Sequence, residues 1–350
     1  MTALQAPAHA APPAGTRSLT GTPRPALRAA ALAIAAIALQ FLMVTVYAWS
    51  ATGTAPRNVP VAITGPAQQV AAVTGKIDLA QPGAFRLVPA SSPGQATADV
   101  TGRRAYGAIM LTGAATPPKI LVASAASPAV ANILTSLANH MNGVPAPAVH
   151  DIVPSSPADP KGTGFAITVL PVAMSSLSAG VLLSGKIRRR SYHAAALVAF
   201  GAGGGVASIA VTHTWLGIFP GSFPVLASVA GLAALAVSAG VSGLTRLCAR
   251  FGRAAAGTAI GGALIMLVGN PFSGAGSAPE MLPGAWGMVG QCLPNGALAT
   301  LLRSVAYFGG ARSAGPWTVL AVWAAAGLLL TAAFPPRVAL YPQGPGRHSG

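Results

Sequence analysis

The residues Gly180-Val181-Leu182-Leu183-Ser184-Gly185-Lys186 match most of a phosphate-binding loop, in which backbone N–H groups cradle a nucleotide's phosphates and the lysine reaches the outer ones. Such a loop needs Ser or Thr directly after the lysine to hold magnesium, and Ile187 stands there. It also follows a strand and opens a helix, whereas these residues close an apolar run. The reading is therefore of a chain with no ATP-hydrolysing motor of its own. Hydrolytic chemistry finds no better support: His-Glu-x-x-His and Gly-x-Ser-x-Gly are both missing, and the six histidines are scattered. His213, beside Thr212 and Thr214, reads as an interfacial packing residue. Cys248 and Cys292 close different apolar runs on opposite faces of the expected bilayer, which argues against a disulfide, and neither has a partner at metal-ligand spacing. Neither an enzyme nor a cofactor-binding protein is expected.

The elements that would position any functional residue are membrane helices. The chain has 350 residues, 53% hydrophobic and 7% charged, with a mean hydropathy of +0.61, too apolar for an ordinary soluble surface. Its apolar residues gather in runs of roughly 16 to 22, the length that crosses about 30 Å of hydrocarbon at 1.5 Å per residue. About six spans are predicted: residues 29–49, Phe165 to Leu183, Ala194 to Trp215, Phe223 to Leu244, Ala254 to Gly269 and Trp317 to Phe334. The fold class is an α-helical integral membrane protein with a small α/β domain between the first and second spans.

Basic residues cluster where the chain should face the cytoplasm. Lys186, Arg188, Arg189 and Arg190 follow the second span, and Arg246, Arg250 and Arg253 follow the fourth, giving short loops at 185–193 and 245–253. Residues 1–28, rich in Ala, Pro and Thr, are expected as a disordered cytoplasmic tail, and residues 335–350 as a second cytoplasmic tail. The net charge of +16 is thus assigned to orientation and to anionic lipid headgroups in the bilayer, not to nucleic acid. All five acids, Asp78, Asp99, Asp151, Asp159 and Glu280, fall outside the spans, which disfavours proton-coupled transport.

Residues 50–163 read as an aqueous α/β domain. Strands are predicted at Val61 to Ile63, Phe85 to Val88, Tyr106 to Leu111, Ile120 to Ala123 and Val149 to Val153, forming a largely parallel sheet. Ser127 should cap a helix that presents Val130, Ile133, Leu134, Leu137 and Met141 on one face and ends at Gly143. A weaker helix is expected from Pro66 to near Gly75. Residues 164–334 form the five-helix membrane domain, within which 270–315 is an amphipathic extracytoplasmic segment. There Asn295 opens a helix with Leu298, Leu301, Leu302 and Val305 on one face and Arg303 well away from it, lying in the outer interface as a candidate gate. Gly201 and Gly205, and Gly257 and Gly261, have the four-residue spacing that lets helix backbones meet, within one chain or across a dimer.

Taken in order, one anchor helix, a large extracytoplasmic insert and five further helices with an amphipathic segment before the last resemble an ABC type 2 exporter permease. The narrower resemblance is to the phage-infection-protein-like branch. It rests on Asn58 to Ala62, Gly107-Ala108-Ile109, Asp151-Ile152-Val153-Pro154 with Asp159-Pro160-Lys161-Gly162, Asn270-Pro271-Phe272-Ser273-Gly274, Ala278-Pro279-Glu280, Leu293-Pro294-Asn295-Gly296 and Tyr307-Phe308-Gly309-Gly310. The resemblance implies a homodimeric or heterodimeric permease that moves amphipathic compounds or envelope components outward, driven by a separate ATP-binding subunit docking on the two basic loops. The alternative is a non-transporting multi-pass surface protein whose α/β domain binds an envelope polymer or partner protein.

Overall fold

The structure is a computed structural model and describes residues 24–113, 117–139 and 148–334. Most of the expected N-terminal tail, the whole of the expected tail at 335–350 and the helix end expected at Met141 and Gly143 lie outside the described residues. The chain divides into two units, one up to Thr45 and one from Val46. The first consists of the greater part of helix α1 (Arg24–Thr52), which carries no charge from Ala29 onward. Its Leu32, Ile34 and Phe41 are exposed, a surface that water would penalise and hydrocarbon would not.

In the second unit the chain builds strand β1 (Val59–Thr64), helix α2 (Ala67–Ala80), β2 (Phe85–Pro89), α3 (Pro93–Thr101), β3 (Gly107–Met110), β4 (Lys119–Val122), α4 (Pro128–Asn139) and β5 (Ala148–Asp151). The five strands form one sheet in the order β2-β1-β3-β4-β5. It is mixed where a largely parallel sheet was expected. The pairs β1/β2, β1/β3 and β4/β5 are parallel, with α2, α3 and α4 available as crossovers, but β3 and β4 follow each other with no helix among the described residues between them and pair antiparallel. Helix α2 passes Gly75, the expected stop, and runs on to Ala80, burying Ile77. Helix α3 was not foreseen. Ser92 Oγ accepts from Gln95 N–H at 3.1 Å and Pro93 takes its first position, so its capping is strong although its apolar stripe is weak. Ser127 caps α4 as expected, accepting from Val130 N–H at 3.3 Å.

One face of the sheet buries Val61, Ile63, Ile109 and Ile120 under Val130 and Leu134, and the other buries Ala62, Ala108 and Leu121 under Val100. Both cores are completed from far along the chain, by Ala278 and Met281 on the first face and Phe308 on the second. The α/β domain is therefore not closed by residues 50–163 alone.

The remaining elements are α5 (Thr163–Lys186), α6 (Arg190–Ile209) continued by a π-helix at Ala210–Trp215, α7 (Phe223–Arg250), and α8 (Ala254–Gly262) continued by a π-helix at Ala263–Gly269. After them come a short 3-10 turn at Pro279–Met281, α9 (Trp286–Gln291), α10 (Pro294–Tyr307) and α11 (Ala314–Ala333). Among the described residues five helices are long and apolar enough to cross a membrane: α1, α5, α6 with its continuation, α7 and α11. These helices suggest a multi-pass membrane protein. The run at Ala254–Gly269, expected as a further span, is shorter than these. Pro171 lies inside α5 without ending it.

Helix α7 is the axis of the bundle, with 78% of its most apolar window buried against 28% or less for the other four. Its row of Ala, Gly and Ser lets backbones approach, which is how helices hold together where lipid removes any hydrophobic drive between them. At the start of α5, Asp159 accepts from Gly164 N–H at 3.0 Å and Phe165 N–H at 2.7 Å, a carboxylate placed on the positive end of the helix.

Candidate functional site

Where the α/β domain meets the bundle, a cleft of about 860 Å³ opens. Five arginines line it, Arg57, Arg86, Arg103, Arg104 and Arg312, against a single carboxylate, Glu280. They come from the approach to β1, from β2 at the edge of the sheet, from the turn between α3 and β3, and from the turn before α11. Arg57 is fixed by carbonyls, donating to Met281 O at 2.8 Å and Gly53 O at 2.9 Å. Arg103 donates to Thr300 O at 2.9 Å and to Ser304 Oγ, and its guanidinium lies over the Phe308 ring. Burial holds Arg103 below the usual arginine range, with Tyr106 and Glu280 opposing that shift. Arg104 pairs with Asp99 at 2.6 Å, while exposed Arg86 and Arg312 have no acidic partner among the described residues. Tyr106 donates to Glu280 Oε2 at 2.8 Å, and burial, then Glu280, raises the phenol above its ordinary range. The rest of the lining includes Pro279, Met288, Cys292, Pro316 and Val319, so cationic and apolar side chains share the cleft.

The floor beside this cleft is α10. The expected gate residues Asn295, Leu298, Leu301 and Leu302 are all buried and Val305 nearly so, but the helix does not lie on a surface with its polar side free. Arg303, expected on an open face, is 4% exposed: it donates to Ala275 O at 2.8 Å and Gly274 O at 3.4 Å and covers the Phe165 ring at 4.4 Å. Burial, with Arg103 nearby, pushes its pKa down to about 10. Tyr307 donates to Ile218 O at 2.9 Å. The correction has a simple cause: partner carbonyls in the 270–282 segment and the α6–α7 link wrap the face that periodicity leaves polar. α10 is thus clamped on both sides, by Arg103 from the α/β domain and by its own Arg303, Asn295 and Tyr307 toward the bundle. Asn295 Nδ2 donates to Ile265 O at 3.3 Å, and its Oδ1 is one of two buried side-chain atoms without a partner among the described residues.

The basic clusters sit at the opposite end of the bundle. Lys186 ends α5, Arg188 and Arg189 lie in the short link, and Arg190 starts α6, all exposed. Helix α7 runs to Arg250, so Arg246 and Arg250 belong to a helix and only Arg253 to the loop expected at 245–253. Arg246 is also not available to a partner: it is buried, donating to Ile187 O at 2.9 Å and Thr331 O at 3.3 Å and so tying α5 and α11 to α7. His193, which sequence reasoning passed over, lies beside it. Its Nε2 is 2.7 Å from Ser242 Oγ and its Nδ1 3.2 Å from Leu183 O, and Ser242 meets Ser184. The cluster satisfies polar groups buried between α5, α6 and α7.

The four spaced glycines all face α7 of the same chain. A side chain on Gly205 would stand 2.4 Å from Ala227 O, and one on Gly257 2.3 Å from Leu244 O, while Gly201 faces Gly231 and Gly261 faces Val241. Gly180 of the loop-like motif does the same against Ser238, which gives that glycine a packing role. His213 Nδ1 is 2.7 Å from Phe219 O, a packing contact. Both cysteines are free.

Comparison with protein-family models, with curated proteins and with solved structures finds no match to this chain.

Proposed function

We propose that the chain is a six-span permease subunit of an ABC-type exporter in the cell membrane, with both termini cytoplasmic and the α/β domain outside. It moves amphipathic compounds or envelope components outward, as a dimer and with a separate ATP-binding subunit. In this reading Ala254–Gly269 completes the sixth span, with Arg253 snorkelling or the bilayer thinning locally. The observation that carries the proposal is the double clamp on α10. A helix bonded through Arg103 to the outer domain and through Arg303 and Tyr307 to the bundle passes movement of the helices to that domain, which a static anchor does not need. The exposed Lys186, Arg188, Arg189, Arg190, Arg250 and Arg253 present a cationic face for the ATPase. A deletion strain should accumulate more of at least one amphipathic compound or lipid than its complemented control, and an ATPase should copurify in mild detergent. No difference in accumulation together with no ATPase would overturn the reading.

One observation favours the second reading, a multi-pass surface protein that binds an envelope polymer or partner through its α/β domain. Helix α7 is enclosed within a single chain, leaving its small-residue faces for intrachain contact and none for a dimer path. An isolated monomer that retains full function would decide for it.

A further inference from the structure

The cleft combines features that neither packing nor orientation explains. Five arginines line it, only Arg104 has an acidic partner among the described residues, and the lone carboxylate of the lining is engaged by Tyr106. The second feature is backbone conformation. Asn58, Arg103 and Arg312 are the three non-glycine residues with positive φ among the described residues, at 52°, 56° and 54°, and all three line this cleft. Asparagine tolerates that region, but arginine gains nothing from it, so two arginines are held against a local preference at one place. Strain of this kind concentrates where a side chain must be aimed.

The apolar part of the lining fixes the class of ligand. Pro316 and Val319 belong to the first turns of α11, a helix long enough to span, which in the proposed topology puts them where hydrocarbon begins. Met288, on α9, is 72% exposed, and Val289 beside it is exposed as well. An aromatic cluster marks the same level: Phe272 stacks on Trp286 at 4.8 Å, and Trp49 meets both edge-on. Trp side chains gather at the boundary between headgroups and acyl chains. The cleft therefore has guanidinium forks on its aqueous side and apolar side chains at lipid depth.

We infer that the cleft binds the phosphate-bearing headgroup of an anionic lipid, with its acyl chain leaving past Met288 and Val319. Arg86 and Arg312 supply the forks; planar guanidinium groups bind phosphate oxygens in pairs, whereas Arg57, Arg103 and Arg104, already bonded, add field. Glu280, turned to Tyr106, sets one negative limit on the pocket and disfavours headgroups bearing several phosphates. The inference rests on the proposed topology, which puts this cleft at the outer leaflet, and it adds a ligand class to the proposed exporter.

The test uses the full chain purified in dodecyl maltoside, with short-chain phosphatidylglycerol, short-chain phosphatidylcholine and inorganic phosphate as probes and native mass spectrometry as the readout. Phosphatidylglycerol should bind about tenfold more tightly than phosphatidylcholine, and the double variant Arg86→Gln/Arg312→Gln should lose about tenfold. Lys186→Gln/Arg188→Gln, at the other end of the bundle, should bind as the parent does. Met288→Gln keeps every arginine, adds no charge and should weaken phosphatidylglycerol while leaving phosphate binding unchanged, which decides the matter if the double variant fails to fold. Equal binding of the two lipids, equal loss in the Lys186/Arg188 control, or displacement of phosphatidylglycerol by an equal concentration of phosphate would overturn the inference, the last by assigning the cleft to a free anion. ATPase copurification with the double variant separates the two ideas: a retained ATPase with lost lipid leaves the exporter standing, and the converse leaves the lipid site.

Discussion

Tyr106 donates its phenolic hydrogen to Glu280 across 2.8 Å, and this one bond joins the residue before β3 to a turn more than 170 positions later. It also turns the cleft's only carboxylate toward a neutral partner while five arginines line the same cleft. Tyr106→Phe keeps the ring and deletes the donor. A hydrogen bond to a charged group contributes about 1.5–3 kcal/mol when buried, so a loss of roughly 1–2 kcal/mol is expected at this half-buried site, read as a lower unfolding midpoint in detergent. Glu280→Gln leaves an acceptor for Tyr106 and removes the negative charge. It should unfold close to the parent and bind anions several-fold more tightly. A Tyr106→Phe variant as stable as the parent would show that the bond is not made.

Arg303 offers a sharper case, because its charge is buried with two backbone carbonyls and an aromatic face in place of an acid. Arg303→Met keeps much of the volume but strands Gly274 O and Ala275 O away from water. At about 1–3 kcal/mol for each unpaired buried group, a loss of roughly 2–4 kcal/mol is expected. Arg303→Lys, a point charge on a flexible stem, should fall between the two. A neutral Arg303→Met would mean that the 273–277 turn finds other partners, and the clamp on α10 would lose one of its jaws.

Close packing on α7 gives a paired prediction. At Gly205 an added methyl would meet Ala227 O at 2.4 Å and Gly231 N at 2.5 Å, so the backbones of α6 and α7 must part, at about 1–3 kcal/mol for overpacking. At Gly203, two residues away, nothing lies within 4 Å, and alanine there should be neutral or stabilising by up to about 1 kcal/mol. Gly205→Ala as stable as Gly203→Ala would contradict the packing.

These cases show where sequence reading stops. The apolar runs, the Ser127 cap and the helix beginning at Pro294 were legible because each signal is local: a period, a cap, a breaker. The fates of Arg246 and Arg303 were not. An arginine at helical spacing reads as exposed, and the groups that bury these two are backbone carbonyls at Ile187, Thr331, Gly274 and Ala275, which no residue type announces. The arginine-lined cleft is illegible for the same reason. It is assembled from residues near 57, 86, 103 and 312, and the positive φ of Arg103 and Arg312 opposes what arginine would choose. The mixed sheet turned on one short link between β3 and β4, whose strand identities were clear but whose pairing was not.

The sidedness of the chain can be tested with the residues already in hand. In a background with Cys248→Ser and Cys292→Ser, a single cysteine is placed at Arg86 on the edge strand of the sheet or at Arg188 in the link between α5 and α6, both exposed. The two lie at opposite ends of helices long enough to span, and in the proposed topology the Lys- and Arg-rich end at Arg188 is the cytoplasmic one. A maleimide too polar to cross a bilayer should therefore label Arg86→Cys in intact cells and Arg188→Cys only after permeabilisation. The reverse pattern would invert the topology, taking the cleft away from the outer leaflet and the basic face away from any cytoplasmic ATPase. Labelling of both in intact cells would mean that α5 and α6 do not separate two compartments, and the permease reading would fall with them.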